Sequence, residues 1–408
     1  MGGRLSSSFV ALLVLAVLGA GVLWWQRPWE EGSAAESVES TELAEQLRSQ
    51  LAAAEEAADA SAWRAAFGAG AGAEAFADRS WRAREVLDVE VIEFELVSVG
   101  AAPDREDGTY SASVAVAWQG GVGRDADSSV DPVELTLRVV PSTVDPAQVD
   151  ITGVEPRQGR RASAMPLWLA DEVAVGHSGP VTVVSLGGAD AQQALAWIGV
   201  AARQVTTLTG ASAPAVLVVP ESSEQTAALL GQSVEALGST AGVATTLDGV
   251  GPSAVVLNPD EFASMDERGR QIVVTHELTH AMTGAVGSEA EPWLVEGFAD
   301  WVALHEDTAP LGLSANAVLS RAAEHGVPEA LPTADDLVGD ARTAAYQGAW
   351  LAVVVLADQY GDEAVREVYR QVLDGATVDD ALASIGSSTA ELTEQWRDYV
   401  TYNASTVS

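Results

Sequence analysis

QIVVTHELTHA, Gln271 to Ala281, carries His276, Glu277 and His280 in the spacing His-Glu-x-x-His. On a helix His276 and His280 stand one turn apart on the same face, so two imidazoles can meet one metal ion. Glu277 can reach the open side of that ion. Zinc with neutral nitrogen ligands and a vacant position lowers the pKa of bound water to about 7, and a neighbouring carboxylate can take its proton. The plain alternative is an ordinary helix that happens to hold two of the chain's five histidines. The surroundings weigh against it: Ile272, Val273 and Val274 precede the motif, Ala281 and Met282 follow, and no proline interrupts the run. A buried active-site helix needs that apolar, unbroken context.

A second stretch, EPWLVEGFADWVALHED (291–307), completes a site. Pro292 suits the first turn of a helix, and Glu296 and Asp300, four apart, face the same way. One of them can be a third metal ligand while the other holds a ligand histidine by its second nitrogen. HELTH followed by WLVEGFADW resembles the gluzincin metallopeptidases, the thermolysin and aminopeptidase superfamily, and is closest to its short, peptidase-MA-like bacterial members. The resemblance covers roughly Val181 to Tyr399. It implies Zn2+ bound by His276, His280 and Glu296, with Glu277 as general base and Asp300 orienting a histidine. In RTAAYQGAWLAVVVLADQYG (342–361) it places a tyrosine donor for the oxyanion at Tyr346, for which a packed core tyrosine is the alternative.

Two departures from the family pattern stand out. Fifteen residues separate His280 from Glu296, fewer than in thermolysin, and at thermolysin's spacing the residue is Asp300. Asp300 is therefore a rival third ligand, with Glu296 preferred for its Trp-Leu-x-Glu-Gly context. No Gly-x-Met-Glu-Asn element precedes the active helix, which removes the reason to expect an aminopeptidase. His325 is a further donor candidate. His305, nine residues beyond Glu296, falls about half a turn out of phase on the same helix. GHSGP (Gly176 to Pro180) looks superficially like a serine-nucleophile turn, but Ser178 beside His177 lacks a separate base and orienting carboxylate.

Composition narrows the partners. The 59 Asp plus Glu against 21 Lys plus Arg, all of the latter arginine, give a net charge of −38. Phosphate contact needs a basic surface, so nucleic acid is not an expected partner. With no cysteine, disulfides, thiolate ligands and a cysteine nucleophile are excluded, and a metal site must use His and carboxylates. Apolar content of 48% and 12 tryptophans supply a folded core.

Phe9 to Trp25 is an apolar run of 17 residues, roughly 25 Å as a helix, the short end of a bilayer span. With Trp24, Trp25 and Trp29 as interfacial aromatics and no clear cleavage site, it reads as an uncleaved single-pass anchor at the cell membrane, with the acidic remainder extracytoplasmic.

The domain expectation is an anchor over 1–29, a linker over 30–40, an accessory α+β domain over 41–160 and a catalytic domain over 165–402. In the accessory domain Thr41 to Phe67 reads as one helix. Val86 to Val99, Tyr110 to Trp118 and Val133 to Val140 read as antiparallel strands of a cone-like or cystatin-like module. In the catalytic domain Val181 to Leu186, Ala215 to Pro220 and Ser253 to Pro259 read as strands, and Asp190 to Leu208 as an amphipathic helix. Asp362 to Leu373 and Thr389 to Tyr402 add two further amphipathic helices.

The fold expectation is α+β, a gluzincin-like catalytic domain with a small α/β half and a helical half. The functional expectation is a membrane-anchored zinc metallopeptidase acting on a peptide or protein laid along the edge strand, Val255 to Leu257. A non-catalytic cell-surface binding module and a hydrolase of non-peptide amides are the alternatives.

Overall fold

The computed structural model describes residues 38–157, 162–189, 191–249 and 251–407. The apolar run 9–25 and most of the polar linker lie outside them. Among the described residues no helix is long and apolar enough to cross a membrane.

The N-terminal unit begins with α1 (Val38–Glu55), α2 (Ala60–Phe67) and α3 (Ala71–Val86). An antiparallel meander follows, β1 (Val89–Val99), β2 (Tyr110–Gly120), β3 (Ser129–Pro141) and β4 (Val149–Pro156), in that spatial order. Along β2, Tyr110, Ala112, Val114, Val116 and Trp118 are buried in strict alternation, the period of a strand with one face on a core. Leu43, Leu47 and Leu51 of α1 are buried in the same core.

Two expectations change here. Thr41 to Phe67 is two helices, because the Asp59 side chain accepts the Ala62 N–H (2.9 Å) and caps a new start. Residues 71–86 form a further helix, so the first strand starts at Val89 and not at Val86. The buried face of α3 is Ala73, Phe76, Ala77, Ser80 and Ala83. Its entry is fixed from β4, where Asp150 accepts the Ala69 and Gly70 N–H groups (3.1 and 3.0 Å).

After α4 (Leu167–Ala170) come β5 (Val173–Ser178), β6 (Val181–Leu186), α5 (Ala191–Thr209), β7 (Ala215–Val219), α6 (Ser223–Leu229) and α7 (Val234–Leu237). β8 (Gly242–Thr246) and β9 (Ser253–Leu257) complete a sheet of order β5-β6-β7-β9-β8. β6, β7 and β9 are parallel, and the two edge strands run antiparallel to them. Val255 to Leu257 is thus not an edge. β9 is paired by β7 on one side and by β8 on the other, and β8 is the free edge.

The central strands are near-continuous apolar runs because both faces are covered. Val181, Val183, Leu217, Val255 and Leu257 face the helices. The alternate residues Val184, Leu186, Val216, Val218, Ala254 and Val256 face the N-terminal unit. Trp168 of α4 joins the units, with its ring centroid 6.4 Å from Trp63 and 6.2 Å from Trp118.

The helical half comprises α8 (Pro259–Ser264), α9 (Glu267–Thr283), α10 (Pro292–Leu304), α11 (Leu311–Ser314), α12 (Asn316–His325), α13 (Ala334–Val338), α14 (Arg342–Tyr360), α15 (Asp362–Leu373), α16 (Val378–Ser384) and α17 (Thr389–Val407). α9 packs on β8 and β9 and between α5 and α10. α10 crosses α14 so closely that a Cβ on Gly297 would collide with the Ala349 carbonyl oxygen. That contact seats the residue before it, Glu296, next to α9.

Candidate metal centre

α9 is capped at its start by Asp266, whose side chain accepts the Gly269 N–H (2.7 Å), and at its end by Gly284 in the left-handed region, φ 80°. Between these caps Val273 to Met282 are all buried. A helix buried on so many faces has nowhere to solvate His276, Glu277 and His280, so each must be satisfied internally. α10 begins with Pro292 at its first turn and buries Glu296 and Asp300, one turn apart, against α9.

Four of these side chains converge. His276 Nε2 lies 3.0 Å from His280 Nε2 and 3.2 Å from Glu296 Oε2, and His280 Nε2 lies 3.4 Å from the same oxygen. Asp300 Oδ1 is 2.8 Å from the other nitrogen of His276, Nδ1. With a proton on Nδ1 shared with Asp300, Nε2 turns its lone pair toward His280 and Glu296.

The set His276, His280 and Glu296 fits a cation on two counts. A tetrahedral zinc with bonds of about 2.0–2.1 Å separates its ligand atoms by about 3.3 Å, and the three separations here are 3.0, 3.2 and 3.4 Å. Glu296 Oε2 is also buried with no aligned hydrogen-bond donor among the described residues. A buried carboxylate oxygen left in that state is costly unless a cation completes it. Two imidazole nitrogens and one carboxylate oxygen are a borderline donor set that suits zinc.

The electrostatics point the same way. Burial works against protonating His276, but the carboxylates of Asp300, Glu296 and Glu277 outweigh it and hold the imidazole well above 6.5. Burial also works against ionising Glu296, but His280 and His276 bring it down to about 2. Three carboxylates around two imidazoles form a pocket that calls for positive charge. Glu277 behaves differently. Burial, together with the charges of Glu296 and Asp300, pushes it up to about 8, against the pull of His276 and a hydrogen bond from the Ala244 N–H to its Oε2 (3.0 Å).

That hydrogen bond ties the site to β8, an element with no counterpart in the sequence-based reading. Gly242 lies alongside, and a Cβ there would come within 3.1 Å of Glu277 Cγ. The available signal was the β-branched run Val243, Thr245, Thr246 between glycine turns, too short to show a period. Tyr369 of α15 was also missed. Its ring stacks on Phe298 at 3.7 Å and its hydroxyl lies 3.2 Å from Thr283 Oγ1. Burial, with the Glu296 charge, raises its phenol above the usual value.

The other sequence candidates are placed as follows. Tyr346 is buried near the start of α14, packed with Leu337 and Ala345. His305 packs edge-on against Trp301 and lies 3.6 Å from Asp362. His325 is exposed beside Glu324. His177 and Ser178 end β5, and His177 Nδ1 is 3.3 Å from Thr182 Oγ1 across the hairpin.

No family model matches the chain, and no curated protein is significantly similar to it in sequence. Solved structures align distantly. One is a glutamate-to-alanine mutant of a two-domain M1 zinc metallopeptidase bound to L-arginine, at TM-score 0.33 and 12% identity over 74% of this chain and 91% of that one. Another is the M1 zinc metallopeptidase from Deinococcus radiodurans, at TM-score 0.33 and 11% identity over 72% and 89%. At these TM-scores neither bears on the chemistry of the site.

Proposed function

We propose that the chain is a hydrolase of peptide bonds that uses a zinc ion held by His276, His280 and Glu296, with Glu277 as general base. The observation that carries it is the convergence of His276 Nε2, His280 Nε2 and Glu296 Oε2 at 3.0–3.4 Å, with a second carboxylate, Glu277, directly after His276 on α9. Bound there, zinc supplies a Lewis acid and a water of lowered pKa. Asp300 keeps the proton of His276 on Nδ1. With Oε2 held by the Ala244 N–H, Glu277 takes and returns a proton at Oε1. Tyr346 is the proposed oxyanion donor, supported by its place on α14, the helix against which α10 and Glu296 are seated.

β8 supports a peptide as substrate. As the unpaired edge next to Glu277, it offers backbone groups on which an extended peptide can add as a further strand. The apolar run Phe9 to Trp25 supports anchoring, and the acidic sequence that follows it supports a site outside the cell. Protease added to intact cells should then degrade the chain, and full protection would contradict it.

Glu277→Gln tests the enzymatic reading against a binding module. An enzyme should lose about 10²–10⁴-fold in kcat on a fluorogenic peptide library while zinc content is unchanged. A wild type that cleaves none of the peptides would overturn the peptidase reading and leave the binding module and the hydrolase of non-peptide amides.

A further inference from the structure

Two glycine-rich loops meet at the seam between the N-terminal unit and the sheet. The end of β2 and the β2–β3 loop contribute Gly120, Gly121 and Gly123, and the β8–β9 loop contributes Gly249 and Gly251, all at positive φ. The approach is close enough that a Cβ on Gly123 would lie 2.8 Å from Pro252 Cγ. Arg124 sits in the seam with its side chain only 6% exposed. Its Nη2 donates to Leu247 O and to Asp248 Oδ2, both at 2.9 Å, and its Nη1 donates to Gly120 O at 3.3 Å. Asp248 holds φ 58°, a conformation that a non-glycine residue keeps only when its surroundings impose it.

Leu247 is the residue directly after β8. As an edge strand β8 has a ladder on one side only, so its ends need separate anchors. At one end Asn258 supplies them, with its N–H on Ala241 O and its Nδ2 on Thr240 O, both at 2.9 Å. At the other end Arg124 occupies the equivalent place, from a different unit of the molecule. Midway between the anchors the Ala244 N–H donates to Glu277 Oε2.

We propose that Arg124 is a positioning residue for Glu277: by clamping the end of β8, the N-terminal unit keeps the Ala244 N–H aimed at that carboxylate. The proposal rests on Glu277 acting as the base. It gives the N-terminal unit a part in the reaction although it holds none of the four converging side chains.

The test uses the full chain with Arg124→Lys, which keeps the charge but loses the fork. A second chain carries Arg124→Met with Asp248→Asn, which removes the buried pair together and strands no charge. Hydrogen exchange at the Ala244 amide should speed about tenfold or more in both, with amides of α9 and α10 and zinc content as in the wild type. On the fluorogenic peptide library kcat should fall about tenfold with KM nearly unchanged. Unchanged Ala244 exchange overturns the proposal, as does exchange that rises equally across the chain, the mark of a merely structural role. If the wild type cleaves no peptide, the peptidase reading fails, and the selective exchange at Ala244 still decides the clamp.

Discussion

Asp300 is the residue whose contribution is most easily isolated. It touches no atom of the convergent set except through His276, whose Nδ1 it meets at 2.8 Å. Carboxylate partners of this kind fix the ring and raise its basicity, and their loss commonly weakens metal binding by about 10–100-fold. Asp300→Ala should therefore lower zinc affinity by that factor in a chelator competition titration without abolishing binding. Complete loss of zinc would instead make Asp300 a ligand. At this scale His276, Glu277, His280, Glu296 and Asp300 are legible in the sequence, because helical period turns a spacing of four into a shared face. Ala244 is not, since a backbone N–H has no residue-type signature. Tyr369 is not either, because only the packing of α15 on Phe298 brings it near Glu296.

Among the elements, α9 and α10 must hold a fixed separation if three ligand atoms are to stay within 3.4 Å of one another. Gly297 sets how close α10 comes to α14, and an ion pair joins the start of α9 to the segment after α10. Arg268 Nε and Nη2 donate to the two oxygens of Asp307 at 3.1 and 2.5 Å. That hydrogen bonding holds the Asp307 carboxyl below its usual value. A depressed folded pKa means stabilisation that is complete above the unfolded value, about 3.9, and is lost as pH falls through the folded one. Wild type should exceed Asp307→Asn by about 0.5–1 kcal/mol at pH 7, the range of a partly exposed pair. Urea unfolding from pH 7 downward should show that gap constant to about pH 5 and closing below the unfolded value. A gap that widens on acidification would contradict the assignment. Element boundaries were harder to read than element types. The break at Asp59 and the helix at 71–86 lie in Ala-rich sequence where small residues give little contrast between faces. β8, at five residues, is too short for any period.

For the molecule as a whole, the five-stranded sheet is the common wall of two cores, with alternate residues of β6, β7 and β9 assigned to each. This explains why those strands read as unbroken apolar runs, and why sequence alone suggests separate domains: nothing in a run of valines says which partner covers the second face. Trp168, 1% exposed and in contact with Trp63 and Trp118, is one of the side chains on which the units meet. Trp168→Ala should cost about 3–5 kcal/mol and split a single thermal transition into two, readable by calorimetry. One unchanged transition would show that the units do not depend on this contact. The central claim is tested most directly by metal content: zinc per chain, measured in the purified wild type and in His276→Ala and Glu296→Ala. The structure leads us to expect about one zinc per chain, lost or strongly weakened in both variants. A wild-type chain that binds no zinc, or variants that keep it in full, would contradict a metal centre built on His276, His280 and Glu296.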